Sequence, residues 1–417
     1  MKQLLRIPLY VLALLALPLA AQAQFSIKAG MLQVPLIPQQ TNSWCWAASG
    51  QMTMKYFGYN VSQCKQASYQ FGQPSSTNCC ASPTPGLCIS GGIVEIGHYG
   101  FTSNQLGGNS ALSVSQVAGQ IGSGRPWILN PNGPGFGHVT VGVGFLDIDL
   151  GIFGFAPMNF VFINDPWPPN VGDFVLESHA SYACGYWGGT CHTEGYDYYD
   201  IKPPKSQPKQ IKVTSKTLES RLPRPLVERA LNGDADPRLA ATAAWEVLRY
   251  VLPANMARPL GVGSPDVMAK LHLGTPVEEY AVSIERLREW KGGAAEALVE
   301  KQAALFVPLG TATGAQANVR LRMEGDKWIF ASLGGPNLSK AWERAHRAGG
   351  EFLVEIPGLE LSFAGRRAGG QLLLSPLFTD PRFRLKAGAE VPAEKMLQGL
   401  VEIAKVYRPS LLAQAGR

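Results

Sequence analysis

After Cys191 the chain has no cysteine, and before Lys202 it has almost no basic charge. Residues 24–200 carry four Lys/Arg (Lys28, Lys55, Lys65 and Arg125) against nine Asp/Glu, whereas the remaining 217 residues carry 31 against 22. That contrast points to two differently built units. The basic part is diluted by acids and lacks a dense arginine cluster. It reads as a solvated surface, or as one that helps the units dock, and no nucleic-acid partner is expected. No long apolar run follows the N-terminal segment, so no membrane-spanning helix is expected in the body of the chain. No internal repeat is present. Gly92–Gly100 and Gly314–Gly325 match neither a P-loop nor a dinucleotide fingerprint, and no cofactor and no metal are expected.

What is present begins with a leader. Lys2 and Arg6, apolar Val11–Ala20 and the small-x-small triplet Ala21-Gln22-Ala23 define a secretory signal peptide over residues 1–23. The residue directly after the cleavage point is Gln24 and not a cysteine, which argues against a lipid anchor there. Export to a periplasm or the medium permits disulfides. The seven cysteines are Cys45, Cys64, Cys79, Cys80, Cys88, Cys184 and Cys191. An odd count implies bridges plus one special thiol, and Cys45 is the natural odd one out. Cys184 and Cys191 are close enough to close one loop. Cys64, Cys79, Cys80 and Cys88 supply two more bridges in one of three pairings. Zinc is the rival for the last three, but adjacent cysteines can hardly face one ion together.

Cys45 stands where a polar approach, Thr41-Asn42-Ser43, enters the stretch WCWAASGQMTMKY. Trp44, Ala47, Ala48, Met52 and Tyr56 recur at helical steps, so a helix with one packed face is predicted, capped by Thr41, Asn42 or Ser43. Cys45 then lies in its first turn, where free N–H groups and the positive dipole end favour a thiolate. Further on, NPNGPGFG delivers His138 to the head of the strand HVTVGVGF, whose glycine side can accept close packing against a helix. A second strand, Met158–Asn164, ends in Asn164-Asp165-Pro166-Trp167-Pro168-Pro169, where the prolines fix Asp165 at an edge.

Attack of a thiolate on a carbonyl needs a base, a group that orients the base, and donors for the oxyanion. The candidates are Cys45 as nucleophile, His138 as base, Asp165 as orienting carboxylate, and Gln39 with the Cys45 N–H at the oxyanion. Asn164 is the direct rival of Asp165, because neighbouring strand positions face opposite ways. Asp147, Asp149 and Asp173 are weaker rivals, as are His98, His179 and His192 for the base. Trp44, Trp46 and Trp167 read as packing residues, one of which could shield the histidine–carboxylate bond.

Gln39-x5-Cys45-Trp46-Ala47-Ala48 resembles the papain-like cysteine peptidases. VPLIPQQTNSWCWAAS followed by YFG is similar to their bacterial branch that includes the AvrRpt2-type and C39-like peptidases. GHVTVGVGF and INDPWPP resemble the two later blocks of that family. The resemblance spans roughly residues 30–200. It implies a papain-like α+β domain, with a helix carrying the cysteine and an antiparallel sheet carrying histidine and then Asp or Asn. The family's roles fall on Gln39, Cys45, His138 and Asp165. The six-residue spacing favours Gln39 over Gln40.

Lys202–Gln210 has the composition of a linker. The expected organisation is a peptidase domain over 24–201, a linker over 202–215, and a second α+β domain over 216–417 that regulates or binds a partner. Helices are predicted at Arg224–Leu231, Leu239–Val251, Leu338–Arg347 and Pro392–Tyr407. Strands are predicted at Glu278–Leu287, Ala303–Leu309, Ala317–Met323, Lys327–Leu333, Glu351–Ile356 and Gly370–Leu377. Few residues separate the leader from the motif, so any segment that blocks the site would come from residues 210–417 by intramolecular docking. The function expected is a cysteine endopeptidase acting on protein or peptide substrates. The alternatives are a peptidoglycan amidase, peptidase or transpeptidase with the same chemistry, or a non-enzymatic disulfide-stabilised binding module.

Overall fold

The computed structural model describes residues 23–72, 79–81, 88–133, 136–149, 156–187, 189–205, 213–220 and 222–406. The leader, apart from Ala23, lies outside them, as do residues 206–212 of the linker.

The fold is α+β. Antiparallel strands form its spine, and helices carry its apolar faces. Strand Thr140–Asp149 is the centre of the N-terminal part. It pairs with Trp127–Leu129 and Ala23–Met31 along one edge and with Met158–Asp165 along the other. Both of its faces are buried, with Val141, Val143 and Phe145 on one side and Thr140 on the other. The glycines of this strand do not receive a helix. A Cβ on Gly142 would collide with the Trp127 ring, and one on Gly144 would lie 2.7 Å from the Gly30 carbonyl oxygen. They make room for an indole and for a crossing strand.

Helix Cys45–Tyr56 packs against this sheet, and the Ser49 hydroxyl donates to the Val139 carbonyl at 2.8 Å. Its amphipathic pattern is weak because nearly every turn is buried. Helix Gln63–Gln70 begins at Ser62, whose hydroxyl accepts from the Lys65 N–H. Helix Val114–Gly122 starts on a capping box between Ser113 and Gln116. The disulfides are Cys64–Cys80, Cys79–Cys88 and Cys184–Cys191, and Cys45 is free.

Past the linker, strand Thr214–Ser220 returns to pair with Ala23–Met31, an element that local pattern does not announce. Helices Arg224–Asn232 and Pro237–Val251 follow. The strands Val299–Thr311, Gly314–Glu324 and Lys327–Gly334 then form a meander. Its last member pairs with Asp173–Ser178, so the ladder runs from the N-terminal part into the C-terminal part. Strand Val277–Val282 pairs in parallel with Phe352–Ile356. The strand expected over Glu278–Leu287 stops at Val282, where Ser283 caps a short helix, Ile284–Glu289. Strand Leu361–Ala368, absent from the expected set, forms a hairpin with Phe352–Ile356. Helices Pro336–Arg347 and Ala393–Val406 complete the described chain. No helix among the described residues is long and apolar enough to cross a membrane.

One buried apolar cluster runs from Ile27 and Phe145 through Trp245 to Leu333. A second, around Val354, Phe363 and Leu397, lies in the C-terminal part. A third, around Trp44, Trp46 and Met54, encloses the cysteine helix.

Candidate active site

The site is built where the cysteine helix meets the mouths of two strands. Cys45 is the first residue of its helix. Trp44 occupies the cap position, and no side chain caps the helix, contrary to the expectation for Thr41, Asn42 or Ser43. Other contacts hold this turn. Ser43 is held at a φ of 67° and its N–H is taken by Glu360, while the Asn42 amide reaches the Leu359 carbonyl at 2.9 Å. Indole N–H groups anchor the turn, with Trp44 donating to the Cys88 carbonyl at 2.7 Å and Trp46 to the Ser90 carbonyl at 3.3 Å.

His138 sits just ahead of its strand and is fully buried. Its Nε2 lies 2.7 Å from Asp165 Oδ1, and that oxygen also accepts the Trp167 backbone N–H at 2.8 Å. Asp165 therefore orients the ring, and it is itself oriented by the turn after its strand. Val141 pairs with Asn164, which places the two strand mouths side by side. Asn164 faces away and donates to the Val34 carbonyl. The Trp187 ring stacks on the imidazole, 4.6 Å between centroids, and Trp167 meets Trp187 edge-on. These indoles cover the histidine. Trp167 is a candidate for that role on sequence, and Trp187 is not.

Gln39 is wholly buried, its backbone fixed by bonds to Pro166 and Asn170, whereas Gln40 is exposed. The Gln39 amide Nε2 donates to Thr41 O at 3.1 Å and to Glu360 Oε2 at 2.5 Å. Glu360 is the unforeseen member of the site. Its second oxygen lies 3.6 Å from His138 Nδ1. The Cys45 sulfur, a His138 ring nitrogen and a Glu360 oxygen all fall within 4.8 Å of one another. Among the described residues these atoms form the one group close enough to share a metal ion, with sulfur, nitrogen and oxygen donors.

Burial raises the pKa of the Cys45 thiol, and the Glu360 carboxylate adds to the rise; His138 opposes it. The helix terminus alone does not make Cys45 a thiolate in this arrangement. Burial works against charge on His138, but Asp165, with Cys45 and Glu360, outweighs it and holds the imidazole pKa well above its usual value.

The rival residues are engaged by other partners. His179 is bonded to the Leu112 carbonyl and His192 to the Trp187 carbonyl. His98 stacks on Tyr69. Asp173 accepts from the N–H groups of Asn337 and Leu338 at a helix start, and Asp147 belongs to the strand far from its mouth. Nothing in the sequence could single out Glu360, because it lies 315 positions from Cys45 in a stretch with no motif.

A cysteine at a helix start, a histidine at a strand mouth and a carboxylate on the next strand define a thiol–imidazole–carboxylate site. The model of the Peptidase_C39 like family matches residues 31–188, which hold all four candidates, and this supports a papain-like cysteine peptidase segment. No curated protein and no solved structure matches the chain.

Proposed function

We propose that the protein is a secreted or periplasmic cysteine endopeptidase of the papain-like class, related to the AvrRpt2-type and C39-like branch. The observation that carries the reading is the 2.7 Å bond from His138 Nε2 to Asp165, with a His138 ring nitrogen and the Cys45 sulfur within 4.8 Å of each other. Proton transfer from the thiol to Nδ1 gives the nucleophile. The sulfur attacks the peptide carbonyl carbon, and negative charge gathers on the carbonyl oxygen. The Gln39 amide and the Cys45 N–H meet that charge. His138 Nδ1–H protonates the leaving amine, the C–N bond breaks, and a thioester remains. His138 then takes a proton from water, which displaces the sulfur and releases the acid. Asp165 stabilises the imidazolium in both halves.

Cys45→Ser tests this. Hydrolysis of a protein substrate by the mature full chain should fall at least about 10³-fold. The residual rate should be insensitive to iodoacetamide, with thermal stability retained. Undiminished hydrolysis in that variant refutes the assignment.

A further inference from the structure

The tip of the hairpin between strands Phe352–Ile356 and Leu361–Ala368, residues Pro357-Gly358-Leu359-Glu360, is seated in the candidate active site. Four contacts hold it. The Gln39 amide and the Ser43 backbone N–H (2.8 Å) both donate to Glu360 Oε2. The Asn42 amide donates to the Leu359 carbonyl, and the Trp167 indole N–H to the Glu360 carbonyl at 2.9 Å. The other Glu360 oxygen faces His138 Nδ1. The tip is backed by its own unit, since a Cβ on Gly358 would lie 2.7 Å from Ile284 Cβ. Glu360 and Leu359 are buried. Glu360 also takes a left-handed conformation, φ 53° and ψ 46°, that non-glycine residues seldom adopt.

We infer that the hairpin tip 357–360 is a built-in inhibitor of the Cys45 site, with the Glu360 carboxylate standing where a substrate's carbonyl oxygen must go. The inference rests on the peptidase reading above. A carboxylate accepting from Gln39 mimics the negative oxygen that this amide serves in the reaction. It denies the substrate that donor, and it competes with the Cys45 sulfur for the imidazolium. The Asn42 and Trp167 donors, occupied by main-chain carbonyls of the tip, are the groups a substrate backbone takes over when the tip withdraws. The strained backbone at Glu360 marks a segment shaped for this contact rather than for hairpin closure alone.

Glu360→Asn and Glu360→Gly test the inference in the full mature chain. Both replacements tolerate the left-handed backbone, so the turn is kept while the carboxylate is removed. Asn42→Ala frees the Leu359 anchor and leaves Glu360 in place. Two rates are read in the presence of a chelator: alkylation of Cys45 by iodoacetamide, followed by mass, and kcat/KM on a peptide substrate. Both should rise at least tenfold in the Glu360 variants, and alkylation should rise severalfold in Asn42→Ala. Unchanged or slower alkylation in all three variants overturns the inference, and a slower rate would make Glu360 part of the working site. Faster alkylation without hydrolysis leaves the inhibitory contact standing and defeats the peptidase reading. Hydrolysis that does not respond to Glu360 does the reverse.

Discussion

The chain up to Lys202 and the chain beyond it are held by different chemistry. In the first part the loops are tied by three disulfides, and large indoles, Trp44, Trp46 and Trp127, are fully enclosed. The second part has no cysteine and relies on long paired strands. Its partly buried Arg320 lies 3.0 Å from Glu355 and 3.6 Å from Glu279. Its many other ion pairs, such as Arg224–Glu228 and Lys301–Glu278, are exposed and contribute little each. The comparison separates two ways to hold a backbone. The loops around the Cys45 thiol are pinned by covalent links, and a ladder-rich region is pinned by its own register. The second carries the hairpin whose tip contacts the first.

The largest effect is expected from Arg320→Met. It leaves Glu279 and Glu355 buried without their cation, and burial already pushes Glu279 up to about 7. A loss of about 3–5 kcal/mol is expected in denaturant unfolding. A cost under about 1 kcal/mol would mean that the ladder alone holds the C-terminal part. Next in size is the pair Cys64→Ala with Cys80→Ala, which opens a bridge of sequence separation 16. Chain entropy assigns about 3 kcal/mol to such a link. Loss of Cys45 reactivity with little change in unfolding would show that the bridge tunes the site rather than the fold.

The smallest effect concerns pH. Burial raises Asp147 to about 6, partly offset by Lys28. A raised carboxyl keeps its proton in the folded chain after the unfolded chain has lost it. Its stabilising contribution is therefore present below about pH 4 and lost as pH rises to about 6. Asp147 is partly exposed, so solvent reduces the effect to about 1 kcal/mol. Asp147→Asn should flatten stability over that window, as read by thermal melts at fixed ionic strength. An unchanged slope would place the pH dependence on the buried carboxyls Asp173 and Asp197, which burial raises to about 7.

Much of this molecule was legible in its residues. The helix at Cys45 and the two strands bearing His138 and Asp165 follow from local periodicity and proline punctuation. So do helices Arg224–Asn232 and Pro336–Arg347, whose apolar faces repeat at helical steps. The free thiol followed from the odd cysteine count. Errors arose where tertiary partners override local preference. Ser43 and Asn42 read as caps, but contacts to the hairpin tip, made by the Ser43 backbone N–H and the Asn42 amide, accompany a turn in which Trp44 holds the cap position. Leu361–Ala368 went unread because LSFAGRRA mixes glycine and arginine, and its pairing with Phe352–Ile356 supplies the order. Trp187 gave no signal because it lies between two cysteines in a two-residue strand, too short to show a period, that pairs with Thr190–Cys191.

The residues alone determined which reactive groups are on offer, a thiol, an imidazole and a carboxylate in that chain order, each beside a segment of clear local preference. They also determined the redox style of each part, because cysteines are covalent facts of composition. Only the folded chain decided that Asp165 and not Asn164 meets the imidazole, that Gln39 and not Gln40 turns inward, and that Glu360 enters the site. Those choices depend on register and on contacts across hundreds of residues, and such distances leave no trace in local pattern because the energy that selects them appears only when the strands pair.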